Sequence, residues 1–210
     1  AITRRSTWAL RKSEQANRSI LEGIAEGVLL VGRERTIIGA NAAAHRLLEV
    51  EGTEQLLGLG AEEFSQRFRL TYTDGRIVPP ERYISQRAFD GVISEPYKAV
   101  LHPAGAAPRV IMVTAAPVRF GSDGPVELVV SVMRDITELE RLDAMRNEFF
   151  AASAHALKTP LTTILGHAQL LGAQLEGAPR AQDSLAAIEG QTQRITRLIQ
   201  NLLILARLRD

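Results

Sequence analysis

The chain of 210 residues contains no cysteine, which excludes a disulfide framework, a thiol nucleophile and Cys-ligated zinc or iron–sulfur centres. Histidine is scarce as well: His45, His102, His155 and His167 are scattered without the spacing of metal ligands, and no metal is expected. An excess of charge of one sign is also missing. With 25 basic and 24 acidic residues the net charge is +1, so nothing in the electrostatics asks for a nucleic acid or a membrane surface as partner. No apolar run approaches the ~18 residues needed to cross a bilayer, and Ala1 opens on Arg4 and Arg5 without a signal-peptide core. A soluble, cytoplasmic fragment is expected, of a full-length protein that is itself free to carry a membrane anchor. What is present is ordinary for a folded protein: 45% apolar residues, in a length that suits one domain or two small ones.

Residues 1–22 are expected to form a linker helix. From Arg4 to Gly23 the pattern is helical, but Trp8, Leu10, Ile20 and Leu21 are too few among the polar residues for a core helix and suit pairing with a copy of itself. Two short apolar runs follow, Gly27 to Val31 and Thr36 to Ala40, with Gly32-Arg33-Glu34-Arg35 between them, which is a hairpin pattern. Asn41 suits a helix cap before Ala42 to Leu48, and a loop-rich helical stretch extends to about Gly91 through Asp74-Gly75 and Pro79-Pro80. Three further β runs are Tyr97 to Leu101, Arg109 to Val118 and Val126 to Met133. Turn residues at Pro103-Ala104-Gly105 and Gly121-Ser122-Asp123-Gly124 separate them. This order predicts an α+β domain over residues 23–137 with a five-stranded antiparallel sheet.

Taken in order, Gly27-Val28-Leu29-Leu30-Val31, Ile38-Gly39-Ala40-Asn41, Asp74-Gly75-Arg76 with Pro79-Pro80, and Asp135-Ile136-Thr137 resemble a PAS domain over about residues 15 to 137. The resemblance implies a sensor domain whose final Asp-Ile-Thr triplet couples the sheet to an outgoing signalling helix, with Asp135 and Thr137 making the junction. The absent cysteine excludes a flavin-thiol photoreceptor, and no histidine stands in the Tyr83 to Phe89 helix where a haem-binding PAS domain wants one. No PAS cofactor is therefore expected, and the pocket is taken to be empty or to hold a small ligand.

Beyond Thr137 no β pattern returns. Leu139, Leu142, Met145 and Phe149 mark one apolar seam. A second column, Phe150, Leu157, Ile164 and Leu171, interleaves with Ala154, Leu161, Ala168 and Leu175 at the alternating four-three spacing of a coiled-coil core. The two seams do not share a register, because Asp143 and Asn147 would occupy the continuation of the second. The slip at Phe149-Phe150 changes local supercoiling and is a place where a rotation can be absorbed. A break at Gly172 to Pro179 precedes a second helix with the seam Leu185, Ile188, Thr192, Ile195, Ile199, Leu202 and Ala206. Two amphipathic helices alone enclose a core poorly, whereas two such hairpins make a four-helix bundle, so residues 138–210 are predicted to form an all-α hairpin that dimerises.

Inside the first of these helices stands Pro160, which lacks a backbone donor and crowds the carbonyl of Ala156 at a cost of ~3 kcal/mol, so a bend just past His155 is predicted. His155 lies one place past Ala154 of the seam, which turns it beside the buried stripe and toward solvent. The thirteen residues Phe149-Phe150-Ala151-Ala152-Ser153-Ala154-His155-Ala156-Leu157-Lys158-Thr159-Pro160-Leu161 resemble the phosphoacceptor box of two-component sensor histidine kinases, Phe-Leu-x-x-x-Ser-His-Glu-Leu-Arg/Lys-Thr-Pro-Leu. By that resemblance His155 takes the γ-phosphoryl group of ATP and passes it to an aspartate of a response regulator. A neutral imidazole has a lone pair to offer near physiological pH, and the transfer needs chiefly positioning and charge stabilisation. The resemblance also implies that Thr159, one turn on, orients a water when the dimer dephosphorylates a response regulator; beside it stands the plainer reading of a threonine that only precedes a proline. Pro160 is taken as a hinge and Lys158 as a solvated or partner-facing charge. Structural roles are expected for His45, His102 and His167.

The departure from the family wording is Ala156, where the family places an acid that orients the imidazole and accepts its proton, a role worth roughly 10²- to 10⁴-fold for positioned bases. No carboxylate replaces it three or four residues to either side of His155, where Ala151, Ala152, Lys158 and Thr159 stand. A weak kinase, an introduced substitution and an acid from a partner remain open. No glycine-rich phosphate loop or asparagine-bearing helix of an ATP-binding domain occurs, so ATP is expected to be bound by a domain not present in this chain, and the chain alone is expected to be inactive. The expected partners are a second copy, that ATP-binding domain and a response regulator. A rival reading is a PAS-linked dimeric coiled-coil interaction scaffold whose phosphotransfer chemistry has decayed.

Overall fold

Alternation of apolar and polar residues at a period of two builds an antiparallel sheet, and the computed structural model places it in the first half of the chain. The residues described are 12, 15–17, 19–92, 94–119, 124–174 and 179–207. Most of the expected linker helix, Trp8 and Leu10 included, and the turn at 121–123 lie outside them, as do the side chains of Leu175, Leu202 and Ala206. The chain divides into two compact units, one ending at Glu138 and one beginning at Leu139.

The strands are β1 Gly27–Gly32, β2 Ile37–Ala40, β3 Arg69–Thr71, β4 Tyr97–His102, β5 Arg109–Arg119 and β6 Val126–Asp135, in the sheet order β2-β1-β6-β5-β4-β3. The sheet thus has six strands where five were expected. The addition is β3, whose three residues are too few to display alternation. Pairing makes it a strand: Leu70 lies opposite Leu101 and Thr71 opposite Val100 of β4. The chain then returns through Asp74-Gly75, where Tyr72 N–H donates to the Arg76 carbonyl at 2.8 Å and Val78 N–H to the Leu70 carbonyl at 2.9 Å. Gly75 holds φ at 85° there, a conformation that glycine enters without a Cβ clash.

Three short helices, α1 Ala42–Leu48, α2 Ala61–Arg67 and α3 Ile84–Phe89, contribute to one core with the sheet. Leu47 and Leu48 of α1, Phe64 of α2 and Ile84 of α3 pack with Leu29, Ile111, Val113 and Met133 of the strands. Each such side chain, taken fully from water, contributes roughly 1.5–3 kcal/mol. Register sets which residues share the core face, since Gly27 lies opposite Met133, Met133 opposite Val113, and Val113 opposite Tyr97. At Gly27 a Cβ would stand 3.2 Å from the Ala44 Cα, so glycine lets α1 pack closely on β1 there without a shift of the helix backbone.

Asn41 does more than cap α1. Its Oδ1 accepts from Ala44 N–H and from Val28 N–H, both at 2.9 Å. Its Nδ2 lies within hydrogen-bond distance of the Leu21, Ile24 and Glu26 carbonyls. One side chain, 2% exposed, therefore ties the end of the incoming segment to β1 and α1.

The second half is helical, with α4 Thr137–Gln174 and α5 Pro179–Arg207. α4 continues through Pro160. Around that proline the hydroxyls of Thr159, Thr162 and Thr163 donate to the carbonyls of His155, Lys158 and Thr159, four residues back in each case. The interleaved apolar columns separate in the folded chain. Ala154 and Ala168 on α4 are each 4% exposed, and Leu185 and Thr192 on α5 are 8% and 4% exposed. Leu157, Ile164 and Leu171 on α4 remain 52%, 48% and 49% exposed, and Ile188 and Ile195 on α5 remain 45% and 42% exposed. One column of each helix closes the hairpin, and the other is left as an apolar stripe.

Candidate functional site

His155 follows buried Ala154 by one residue on α4, so the helix turns its imidazole out of the hairpin seam, and the side chain is exposed. Beside it a groove of about 240 Å3 runs between the two helices, lined by Ala151, Ala154, His155 and Lys158 of α4 and by Thr196, Ile199 and Gln200 of α5. Small residues on the α4 side open the groove. Its rim carries one ammonium group, from Lys158, and one amide, from Gln200, and no carboxylate lines it among the described residues. α5 therefore brings no acid to stand in for the one missing at Ala156.

Thr159 and Pro160 are exposed one turn beyond His155. The Thr159 hydroxyl donates to the His155 carbonyl at 3.3 Å, a helix-internal bond that leaves its oxygen lone pairs available. Phe149 is exposed and Phe150 half-buried, with their rings in edge contact at 6.0 Å between centroids. The other histidines are occupied locally or lie on a surface. His45 Nε2 is 2.8 Å from Thr53 Oγ1 and His102 Nε2 is 3.1 Å from Thr71 Oγ1, while His167 is exposed on α4. Burial, and after it the neighbouring Arg69, hold the His102 imidazole below its ordinary range.

At the junction of sheet and output helix, Asp135 and Thr137 are locked together. Asp135 Oδ1 accepts from the Thr137 backbone N–H at 2.9 Å and from its hydroxyl at 2.6 Å, which satisfies one of the N–H groups that a helix start leaves open. The Thr137 hydroxyl in turn accepts from Val110 N–H at 2.9 Å, and Ile136 N–H donates to the Val110 carbonyl at 2.8 Å. Arg109, on the same strand, pairs with Asp135 at 3.6 Å and with Glu49, which caps α1 in a left-handed conformation at φ 55°. Sequence reasoning missed Arg109, Thr196 and Gln200. No local signal marks them, since their partners lie tens of residues away. Thr137→Val keeps the shape and removes the hydroxyl, at an expected cost of about 1–3 kcal/mol for the orphaned Val110 amide. Amide exchange at Val110 should quicken, and unchanged protection there would refute the role of this bond.

In the first unit, the sheet and helices border a partly open pocket of about 50 Å3 whose wall includes Leu29, Phe64, Tyr83, Tyr97, Ser131 and Met133. No helix among the described residues is long and apolar enough to cross a membrane.

Residues 145–210 match the His Kinase A (phospho-acceptor) domain family, and residues 17–81 match a PAS domain family. The chain is 23% identical over 201 residues to the sensor protein SrrB of Staphylococcus aureus strain N315, covering 95% of this chain and 30% of that protein. It is 35% identical over 88 residues to the sensor histidine kinase WalK of Bacillus subtilis strain 168, covering 40% of this chain and 14% of that protein. The chain thus spans about 30% of the length of SrrB. Among solved structures, the PAS domain of an HTR-like protein from Haloarcula marismortui covers 63% of this chain at 15% identity, with 99% of its own length aligned and a TM-score of 0.46.

Proposed function

We propose that this chain is the sensor and phosphoacceptor portion of a two-component histidine kinase and that His155 is its phosphoacceptor, a reading supported by the matches to a PAS domain family and to the His Kinase A (phospho-acceptor) domain family within one chain. An imidazole nitrogen of His155 attacks the γ-phosphorus of ATP held by a separate ATP-binding domain, and ADP leaves with the bridging oxygen. The N–P bond then breaks as an aspartate carboxylate of a response regulator takes the phosphoryl group. The observation that carries this reading is the placement of an exposed imidazole at the mouth of the inter-helix groove, one residue past a buried seam position. Thr159 orients the water that attacks the aspartyl phosphate when the dimer dephosphorylates a response regulator, releasing inorganic phosphate, and Pro160 and the Phe149-Phe150 step act as hinge and register change. Asp135 and Thr137 transmit the state of the PAS domain into α4, in the cytoplasm. The direct test is transfer: a chain phosphorylated on His155 should lose its label to an isolated receiver domain and not to a receiver whose acceptor aspartate is replaced by alanine. Label that stays on the chain would leave the scaffold reading, which Ala156 favours, as the better one.

Dimerisation follows from the exposed stripe of Leu157, Ile164, Leu171, Ile188 and Ile195, since a contiguous apolar surface of this kind marks an interaction face. Light scattering should give twice the chain mass of 23.0 kDa. Ile164→Asp, on the stripe, should yield a monomer that keeps its helical content, whereas Leu161→Asp, on the half-buried column, should unfold the hairpin as well. A parent chain that runs as a monomer would remove the four-helix bundle.

A further inference from the structure

A neutral imidazole keeps a lone pair on one ring nitrogen only while its proton sits on the other, and the hydrogen bond which that other nitrogen makes sets the tautomer. Of the two, Nδ1 lies nearer the backbone and Nε2 projects outward. Nε2 is therefore the nitrogen that a nucleotide held by a separate domain can meet, and Nδ1 is the one that needs an acceptor. The helix carrying His155 offers none in the right place. Ala151, Ala152 and Ala156 have no polar side-chain atom, Lys158 only donates, and the Thr159 hydroxyl is bent back onto the His155 carbonyl at 3.3 Å. Side chains on a helix also lean toward its N-terminus, so the imidazole lies over the turn of Ala151 and Ala152, away from Thr159.

Across the groove α5 supplies two polar groups, Thr196 and Gln200, one turn apart. Thr196 is half-buried and its hydroxyl donates to the Thr192 carbonyl at 2.9 Å, which holds its oxygen against its own helix. Gln200 is exposed, and its amide has no hydrogen-bond partner among the described residues. The direction of the chain separates the two further. α4 ends at Gln174 and α5 begins at Pro179, so two helices that line one groove run antiparallel, and a step toward the N-terminus of α4 is a step toward the C-terminus of α5. An imidazole leaning toward Ala151 thus leans from the level of Thr196 toward that of Gln200. The other lining residues, Ala151, Ala154 and Ile199, carry no polar side-chain atom.

We propose that Gln200 is a positioning residue for His155: its Oε1 accepts from the imidazole Nδ1–H, which directs the Nε2 lone pair outward to the γ-phosphorus and supplies the orientation that the acid absent at position 156 would give. The inference rests on the reading of His155 as phosphoacceptor. The N–P bond forms at Nε2 as the bond to the bridging oxygen breaks and ADP leaves with that oxygen; the Nδ1 proton, which an amide does not hold, passes to water. Gln200 thus orients without acting as a base. The ring tautomer, read from the imidazole nitrogen NMR resonances of the whole chain in mildly alkaline solution with no ATP-binding domain present, should be mainly Nδ1–H. Gln200→Ala should move it toward Nε2–H, while Thr196→Val leaves it as in the parent. With an ATP-binding domain in trans, Gln200→Ala should lower the labelling rate at saturating ATP by roughly two- to tenfold, the range of one neutral hydrogen bond, with KM for ATP unchanged. Gln200→Glu both orients and takes the proton, and should label faster than the parent. Because Gln200 is exposed, each variant should keep the parent's helical content. A parent ring that is mainly Nε2–H, a tautomer indifferent to Gln200→Ala, or a Gln200→Glu chain that labels no faster than Gln200→Ala would overturn the proposal and leave His155 as acceptor. Label that survives His155→Gln would instead remove the acceptor reading, and the tautomer measurement would stand apart from it.

Discussion

Replacing His155 with glutamine should abolish phosphoryl labelling of this chain when an ATP-binding domain is supplied in trans or joined after Asp210. The parent should show an acid-labile, base-stable label, the signature of a phosphoramidate on a ring nitrogen. His155 is exposed beside its groove, and His45 and His102 have their Nε2 atoms within bonding distance of threonine hydroxyls. Loss of label in His155→Gln should therefore be complete. Label that persists in that variant would reassign the acceptor. The companion variant is Ala156→Glu. The residues lining the groove include no carboxylate, so no acid of α5 stands there to take the proton of the imidazole in place of the absent one. Restoring a carboxylate at 156 should raise the labelling rate by up to ~10²-fold on the scale of positioned general bases. The site has room for it, since Ala156 is exposed and Pro160 already interrupts the local hydrogen-bond ladder. A rate that does not rise would leave His155 as acceptor and point to an acid carried by the ATP-binding domain.

Asn41→Ala should be the most damaging single substitution in the sensor half. It orphans the buried Val28 amide, at about 1–3 kcal/mol, removes the cap of α1, at about 1 kcal/mol, and releases the Leu21, Ile24 and Glu26 carbonyls. The sum is several kcal/mol against a total stability of about 5–15 kcal/mol for a domain. A fall in melting temperature on the order of 10–20 °C is expected for a domain of this size, together with faster amide exchange at Val28. A shift under about 3 °C would show that water replaces the lost bonds. Asn41→Asp separates the two halves of the amide. It keeps the acceptor for Val28 and Ala44 but sets a carboxylate against three carbonyls in a buried place, which raises its folded pKa above the unfolded value near ~3.9. Below that value both states are protonated and the variant is at its best; stability is then lost as pH rises through the folded pKa.

The strands β1, β2, β4, β5 and β6 are legible because each is a largely apolar run of four or more residues bounded by turn or polar residues. β3 is not, because Arg69–Thr71 becomes a strand only by finding β4 some thirty positions later. The box around His155 is readable as a resemblance because it is contiguous, and the Asp135–Thr137 bonds span only two residues. Arg109 reaches Asp135 and Glu49 across 26 and 60 positions, and no window of sequence holds all three.

Pattern alone determined that the chain is a sheet-and-helix sensor followed by two seamed helices, because period two and period 3.6 are local properties of where apolar residues recur. It also places His155 and Pro160 five residues apart on one helix, the spacing on which the proposed acceptor rests. Which apolar column turns inward was decided only by folding. Ala154, Ala168, Leu185 and Thr192 close the hairpin while Leu157, Ile164 and Ile188 stay out, and the sequence gives both sets the same spacing. The pocket is of the same kind: Tyr83, Tyr97 and Ser131 come from a turn and two non-adjacent strands. The register of the sheet, which places small Ser131 opposite Leu29 and Ala115, leaves a space that those residues line.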